Sequence, residues 1–198
     1  EVFPQQIELA SGSDRQQLVV TGWDAKEAVR DWTHDVSIRS SDPTIADVEG
    51  AAVVPVSDGQ TTVVVEIGSL QQSIPVSVSG SEQNRPVAFE SEVLVALSKQ
   101  GCSSGACHGS PSGKGLFRLS LRGFDAALDE LTLIHEDFGR RVNTFEPEES
   151  LLLAKPLMQI THGGGKQLHR SDTAYDLLRR WIAEGAEADP AHTPRCVG

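Results

Sequence analysis

The densest chemistry in this chain lies in seven residues, Cys102-Ser103-Ser104-Gly105-Ala106-Cys107-His108. Two thiols stand with four residues between them, and an imidazole follows the second directly. Such thiols can add to the two vinyl groups of a haem, leaving the adjacent His to reach the iron. The common attachment motif has a shorter spacer, so this longer one must bulge. Ser103, Ser104, Gly105 and Ala106 are small enough to allow that, and Gly109 gives the backbone room beside a macrocycle. The same residues can instead close a disulfide, bind zinc with another His, or remain free thiols.

If His108 holds an iron from one side, a second ligand can approach from the other. Candidates are His162, Met158, His135, His169 and Cys196. Met158 is the single Met of the chain, and His162 opens the run His162-Gly163-Gly164-Gly165. Three glycines would let the backbone lie close to a flat cofactor, which favours His162, then Met158, then Cys196. A Met partner raises the reduction potential, whereas a second His leaves it lower. Two filled positions point to electron transfer, and an open one to ligand binding or catalysis. Arg140 and Arg141 are expected to pair with haem propionates, with Lys114 and Lys166 as further cations.

These residues need elements to position them. Phe89, Val93, Leu94 and Leu97 lie at helical spacing, and Gly101 suits a helix C-terminus. A short helix is therefore expected to lead into Cys102. Gly101 to Gly115 reads as a loop, and Leu116 to Leu121 alternates like a short strand. Helical turns are expected over 125–136 and 147–154. A last helix is expected from a Ser171 cap to about Glu184, with Tyr175, Leu178, Trp181 and Ile182 on its apolar face.

The first eighty residues read differently. Residues 17–21, 36–40, 45–48, 52–56, 61–67 and 73–79 are strand-like, with a break expected near Gly22. Pro55 and Pro75 are expected at sheet edges or bulges. Short strands separated by turn residues point to a β-sandwich. The fold class expected is thus two domains, an all-β Ig-like sandwich and a mainly α domain with a small β element. The expected boundaries are 1–80, a linker at 81–87, 88–190, and a tail at 191–198.

Composition narrows the partners. The chain has 198 residues, a net charge of −11 and three cysteines. Nucleic-acid binding needs clustered cations and is disfavoured. Three cysteines are too few for a disulfide framework. No apolar run is long enough to span a membrane. The acidic balance would steer a basic redox partner towards the chain.

Two resemblances add to this reading. RDWTHDVSIRSSDPTIADV, the later DGQTTV and the closing alternating strand resemble a bacterial Ig-like domain of group 2. KQGCSSGACHGSPSGKGLFRLSLRGFD, GRRVNTFEPEESLLLAKP, THGGGK and YDLLRRWIAEGA resemble the cytochrome c-like domain of planctomycete multidomain proteins. The second resemblance implies one covalent c-type haem on Cys102, Cys107 and His108. It also implies a distal ligand on the loop before the last helix. His162 lies nineteen residues before Trp181 and Met158 twenty-three, and the shorter spacing fits that loop better. Attachment of haem c outside the bacterial cytoplasm implies an exported protein, periplasmic or at the cell surface. The domain order implies a fragment of a longer protein. Electron transfer is the function expected. The alternatives are an Ig-like adhesion or polysaccharide-binding module with a structural Cys/His cluster, and a peroxidase-like haem enzyme with an open axial site.

Overall fold

The computed structural model describes residues 1–23 and 29–189. The chain divides into two units, Glu1–Arg85 and Pro86–Gly198.

The first unit is built of β-sheet. Its strands are β1 (Val2–Phe3), β2 (Ile7–Leu9), β3 (Gln16–Gln17), β4 (Val19–Trp23), β5 (Val29–Asp31), β6 (Ser37–Ser40), β7 (Ala46–Glu49), β8 (Ala52–Pro55), β9 (Gly59–Ile67) and β10 (Leu70–Val78). They form sheets in the orders β1-β4-β5, β2-β10-β9-β6 and β3-β8-β7. Alternation along the strands sends Ile7, Leu9, Leu18, Val20, Val53, Val63, Val65, Ile74, Val76 and Val78 into one shared core. The β-branched run of β9 pairs along its whole length with β10. A two-residue turn joins them, with Gly68 in the left-handed region at φ 57°.

Three local expectations need correction. The break falls at Leu18, between β3 and β4, and β4 continues through Gly22. A Cβ on Gly22 would lie 2.7 Å from the Trp32 indole nitrogen, so this glycine makes room for a ring and does not end a strand. Pro75 lies within β10, which is flanked by two strands. The pairing with β2 begins only at Val76, so the second edge is still open beside Pro75. Residues 81–85 belong to the first unit: Gly12 N–H donates to Gln83 O at 3.0 Å, and Arg85 pairs with Asp14 at 3.1 Å.

In the second unit short helices are joined by loops. A π-helical turn, Phe89–Val93, runs into α1 (Leu94–Lys99); α2 (Ala126–Glu130) runs into a second π turn, Leu131–His135. After them come α3 (Leu151–Ala154) and α4 (Thr173–Ala183). The core holds Phe89, Val93, Leu94 and Leu97 against Leu178, Trp181 and Ile182. Phe89 and Trp181 pack with ring centroids 5.6 Å apart. The carboxylate of Asp189 accepts from Phe89 N–H at 2.5 Å and Glu90 N–H at 2.8 Å. It thereby satisfies donors at the start of the first helical turn.

Residues 116–121 do not form the expected strand. Gly113, Gly115 and Leu116 all have positive φ, which curls the segment into a tight turn closed by one Lys114–Phe117 bridge. The expected small β element is reduced to that bridge. Asp172, not Ser171, holds the N-cap position of α4. The positions expected on its apolar face, Tyr175, Leu178, Trp181 and Ile182, are buried. Among the described residues no helix is long and apolar enough to cross a membrane.

Candidate functional site

The site begins where α1 ends. Gly101 takes φ 77°, and Cys102 N–H donates back to Leu97 O at 2.9 Å, closing the helix as glycine C-caps do. The four residues between the cysteines then fold on themselves. Cys107 N–H and Gly109 N–H both donate to Ser104 O, and His108 N–H donates to Cys102 O at 3.0 Å. The bulge therefore returns the second cysteine and the histidine to the side of the first. Gly109 is obligatory here, because a Cβ would lie 2.0 Å from the Ser103 carbonyl oxygen.

Both thiols are free. Burial, reinforced by neighbouring Cys107, pushes the Cys102 thiol up to about 11. At neutral pH it is protonated, unlike the activated thiols of redox and nucleophilic sites. Among the described residues no three His, Cys, Asp or Glu side chains converge to hold a metal ion. A protein-only zinc site needs such a set; haem iron needs only axial ligands from the protein.

Opposite this loop lies His162. A cavity of about 330 Å³ separates the two walls, lined by Leu97, Cys102, Cys107, His108, Leu152 and His162 among others. The imidazoles of His108 and His162 have centroids 6.3 Å apart and planes 17° from parallel. His108 Nδ1 meets the Phe117 carbonyl at 2.9 Å, and His162 Nδ1 meets the Gly165 carbonyl at 2.8 Å. A carbonyl can only accept, so each Nδ1 donates to it and Nε2 is the nitrogen left for a metal. Burial holds His108 below the ordinary 6.5; the Phe117 carbonyl opposes this and the His162 imidazole adds to it. His108 is therefore neutral at pH 7, as a metal ligand must be.

The remaining sequence candidates fall in different places. Met158 is 46% exposed and is not on the cavity wall. His135 faces Glu130 at 3.8 Å on the surface, and His169 is exposed. Cys196 and the tail 191–198 lie outside the described residues. Arg141 is buried, and its guanidinium donates to the carbonyls of Thr132, Glu136 and Leu116 and to the Asp137 carboxylate. It also lies over the Phe117 ring at 4.7 Å. Arg141 thus braces the wall that carries the His108 partner. Arg140 and Lys114 are on the cavity lining, whereas Lys166 is exposed away from it.

Sequence reasoning missed Phe117, whose carbonyl holds His108 and whose ring packs 4.6 Å from it. Asp129 was missed as well. It is fully buried and accepts from Ser120 N–H at 2.5 Å and Ser120 O–H at 2.6 Å. Next to Ser120, Leu119 N–H donates to His108 O at 2.8 Å. The only signal for Asp129 is its place on the inner side of a short helix.

No protein-family model matches the chain, and no curated protein matches it in sequence. Solved structures that share part of its shape include two of an S-layer protein. The crystal structure of the S-layer protein SbsC domains 4 and 5 has a TM-score of 0.35 and 22% identity, over 40% of this chain and 50% of that one. The structure of the S-layer protein SbsC, domains 5-6, has a TM-score of 0.34 and 22% identity, over 44% of this chain and 45% of that one. The match therefore spans about half the length of those chains or less.

Proposed function

We propose that the second unit binds one covalent c-type haem and transfers electrons through it. In this reading Cys102 and Cys107 form the thioethers, and His108 and His162 are the axial ligands. One observation carries the proposal. Two neutral-capable imidazoles face one cavity at 6.3 Å, each with Nδ1 on a carbonyl and Nε2 left over. With an imidazole nitrogen about 2 Å from a first-row metal, two imidazoles on opposite sides of one ion have centroids roughly 6 Å apart. The two thiols beside His108 and the apolar wall at Leu97 and Leu152 suit the edge of a porphyrin.

The bound group would supply a one-electron couple. The chain's own contribution is positional. His108 and His162 would hold the iron from the two walls, and with both in place the group would serve electron transfer. Arg140, Lys114 and Lys155 line the cavity and would be available to propionates. A second His would leave the potential lower than a Met partner would. The packing of Phe89 on Trp181, which ties the π turn leading into α1 to α4, supports a cytochrome c-like framework, and the planctomycete resemblance points the same way. The first unit then serves as an Ig-like spacer in an exported, periplasmic or cell-surface protein, with a basic redox partner favoured by the −11 charge.

The test is expression of the full chain with haem-maturation machinery, followed by denaturing electrophoresis and haem staining. A stained band that survives denaturation, and is lost when Cys102 and Cys107 are both changed to Ser, is the expected result. An unstained wild-type band overturns the reading.

A further inference from the structure

Two turns beside the cavity carry backbone that most residues avoid. In the first, Gly113, Gly115 and Leu116 have φ of 64°, 64° and 62°. In the second, Asp137, Phe138 and Gly139 have φ of 53°, 61° and 68°. A leucine or phenylalanine in the left-handed region is strained, and such strain persists only where the surroundings hold it. Side-chain packing does not hold it here, because Leu116 is 90% exposed and Phe138 stands fully in solvent. The buried guanidinium of Arg141 does. Its Nη2 donates to Leu116 O at 3.3 Å and to the Asp137 carboxylate at 2.8 Å. Its Nη1 donates to Thr132 O at 2.8 Å and Glu136 O at 3.1 Å. One planar fork thus joins both turns and also covers the Phe117 ring at 4.7 Å. Phe117, next to Leu116, is the residue that meets His108. Its carbonyl accepts from Lys114 N–H at 3.1 Å and from His108 Nδ1 at 2.9 Å, and its ring packs 4.6 Å from the imidazole.

We propose that Arg141 is the positioning residue of the His108 ligand: by locking the two left-handed turns together it aims the Phe117 carbonyl at Nδ1 and so sets how strongly His108 binds iron. This rests on the haem reading above. An imidazole whose other N–H is bonded to a carbonyl is the more basic ligand. A more basic ligand favours the ferric state and lowers the potential, so a loosened Phe117 carbonyl raises it. The charge of Arg141 is balanced by Asp137 at 2.8 Å and Glu136 at 3.7 Å, so it acts on His108 by position more than by field. Lysine keeps the charge but lacks the planar fork that spans both turns.

The test uses the full-length holoprotein and two readouts, the reduction potential and the solvent exchange of the His108 Nδ1 proton by NMR. Arg141→Lys is expected to raise the potential and to speed the exchange roughly 2- to 10-fold, the loss of one net hydrogen bond. Leu116→Gly removes the strain that Arg141 holds down, since glycine accepts a positive φ freely. In that background Arg141→Lys is expected to shift both readouts by less than half as much. An Arg141→Lys holoprotein with wild-type potential and exchange overturns the proposal and leaves the haem reading standing. Equal shifts with and without Leu116→Gly also overturn it. Where Arg141→Lys alone yields no folded holoprotein, the double variant is expected to yield it, and its failure to do so counts against the proposal. A wild-type chain without attached haem removes both readings, and the stained gel reports that separately.

Discussion

His108 and His162 face the same cavity from walls that are built differently. The His108 wall is bonded to Cys102, Phe117 and Leu119 and braced by the buried Arg141. The His162 wall is one glycine-rich turn, bonded within itself and tied back to Lys155 and Pro156. The contrast teaches that equal ligand chemistry need not mean equal roles. One imidazole is followed by a glycine with no room for a Cβ, the other by glycines that mostly face open space.

The comparison is broken most severely at the ligands. His108→Ala is expected to lower the yield of haem-stained protein by at least the roughly tenfold that losing even an outer partner of a metal ligand costs. His162→Ala is expected to retain its haem. Equal yields from the two variants would erase the distinction. The next effect is steric. Gly109→Ala places a Cβ 2.0 Å from a backbone oxygen and should cost about 3 kcal/mol in denaturant unfolding. Gly163→Ala meets open space and should stay within about 0.5 kcal/mol of wild type.

Arg141→Ala leaves three carbonyls and Asp137 without their donor, and about 2 kcal/mol of stability should be lost. Arg140→Ala, at an exposed position, should change stability by less than about 0.5 kcal/mol. The smallest effect concerns Asp129. Burial holds its carboxyl above the ordinary 3.8, against the opposing Ser120 donors. The folded protein therefore keeps this proton to higher pH than the unfolded chain does. The contribution is fully present below 3.8 and is lost as pH rises through the raised value. Subtracting the thermal midpoints of Asp129→Asn from those of wild type across pH 3 to 7 isolates it. A difference that grows with pH would reverse the sign.

Much of the β unit is legible because alternation and turn residues are local signals. The β9–β10 hairpin follows from Thr61 to Ile67 and the Gly68 turn. Glycine is where such signals mislead. Gly22 reads as a break but makes room for Trp32. Gly113 and Gly115 cancel the strand that the alternation of Leu116 to Leu121 implies. In the second unit, Cys102, Cys107 and His108 are adjacent in sequence and visible as a motif. His162 is separated from Met158 by its spacing to Trp181. The carbonyl of Phe117 is a backbone atom and leaves no mark in residue identity. Arg141 shares a pair of letters with Arg140, yet one is buried and the other exposed. Only through-space packing distinguishes them. The same holds for Asp189, whose carboxylate serves donors a hundred residues earlier.

The central claim is that His108 and His162 hold one covalent haem iron between them. Its most direct test is the visible spectrum of the matured full-length chain, oxidised and reduced, beside His162→Ala. Wild type should be low-spin in both states, and the variant should turn high-spin while keeping its covalent haem. A wild-type chain without a haem spectrum, or a variant whose low-spin spectrum is unchanged, would contradict the account.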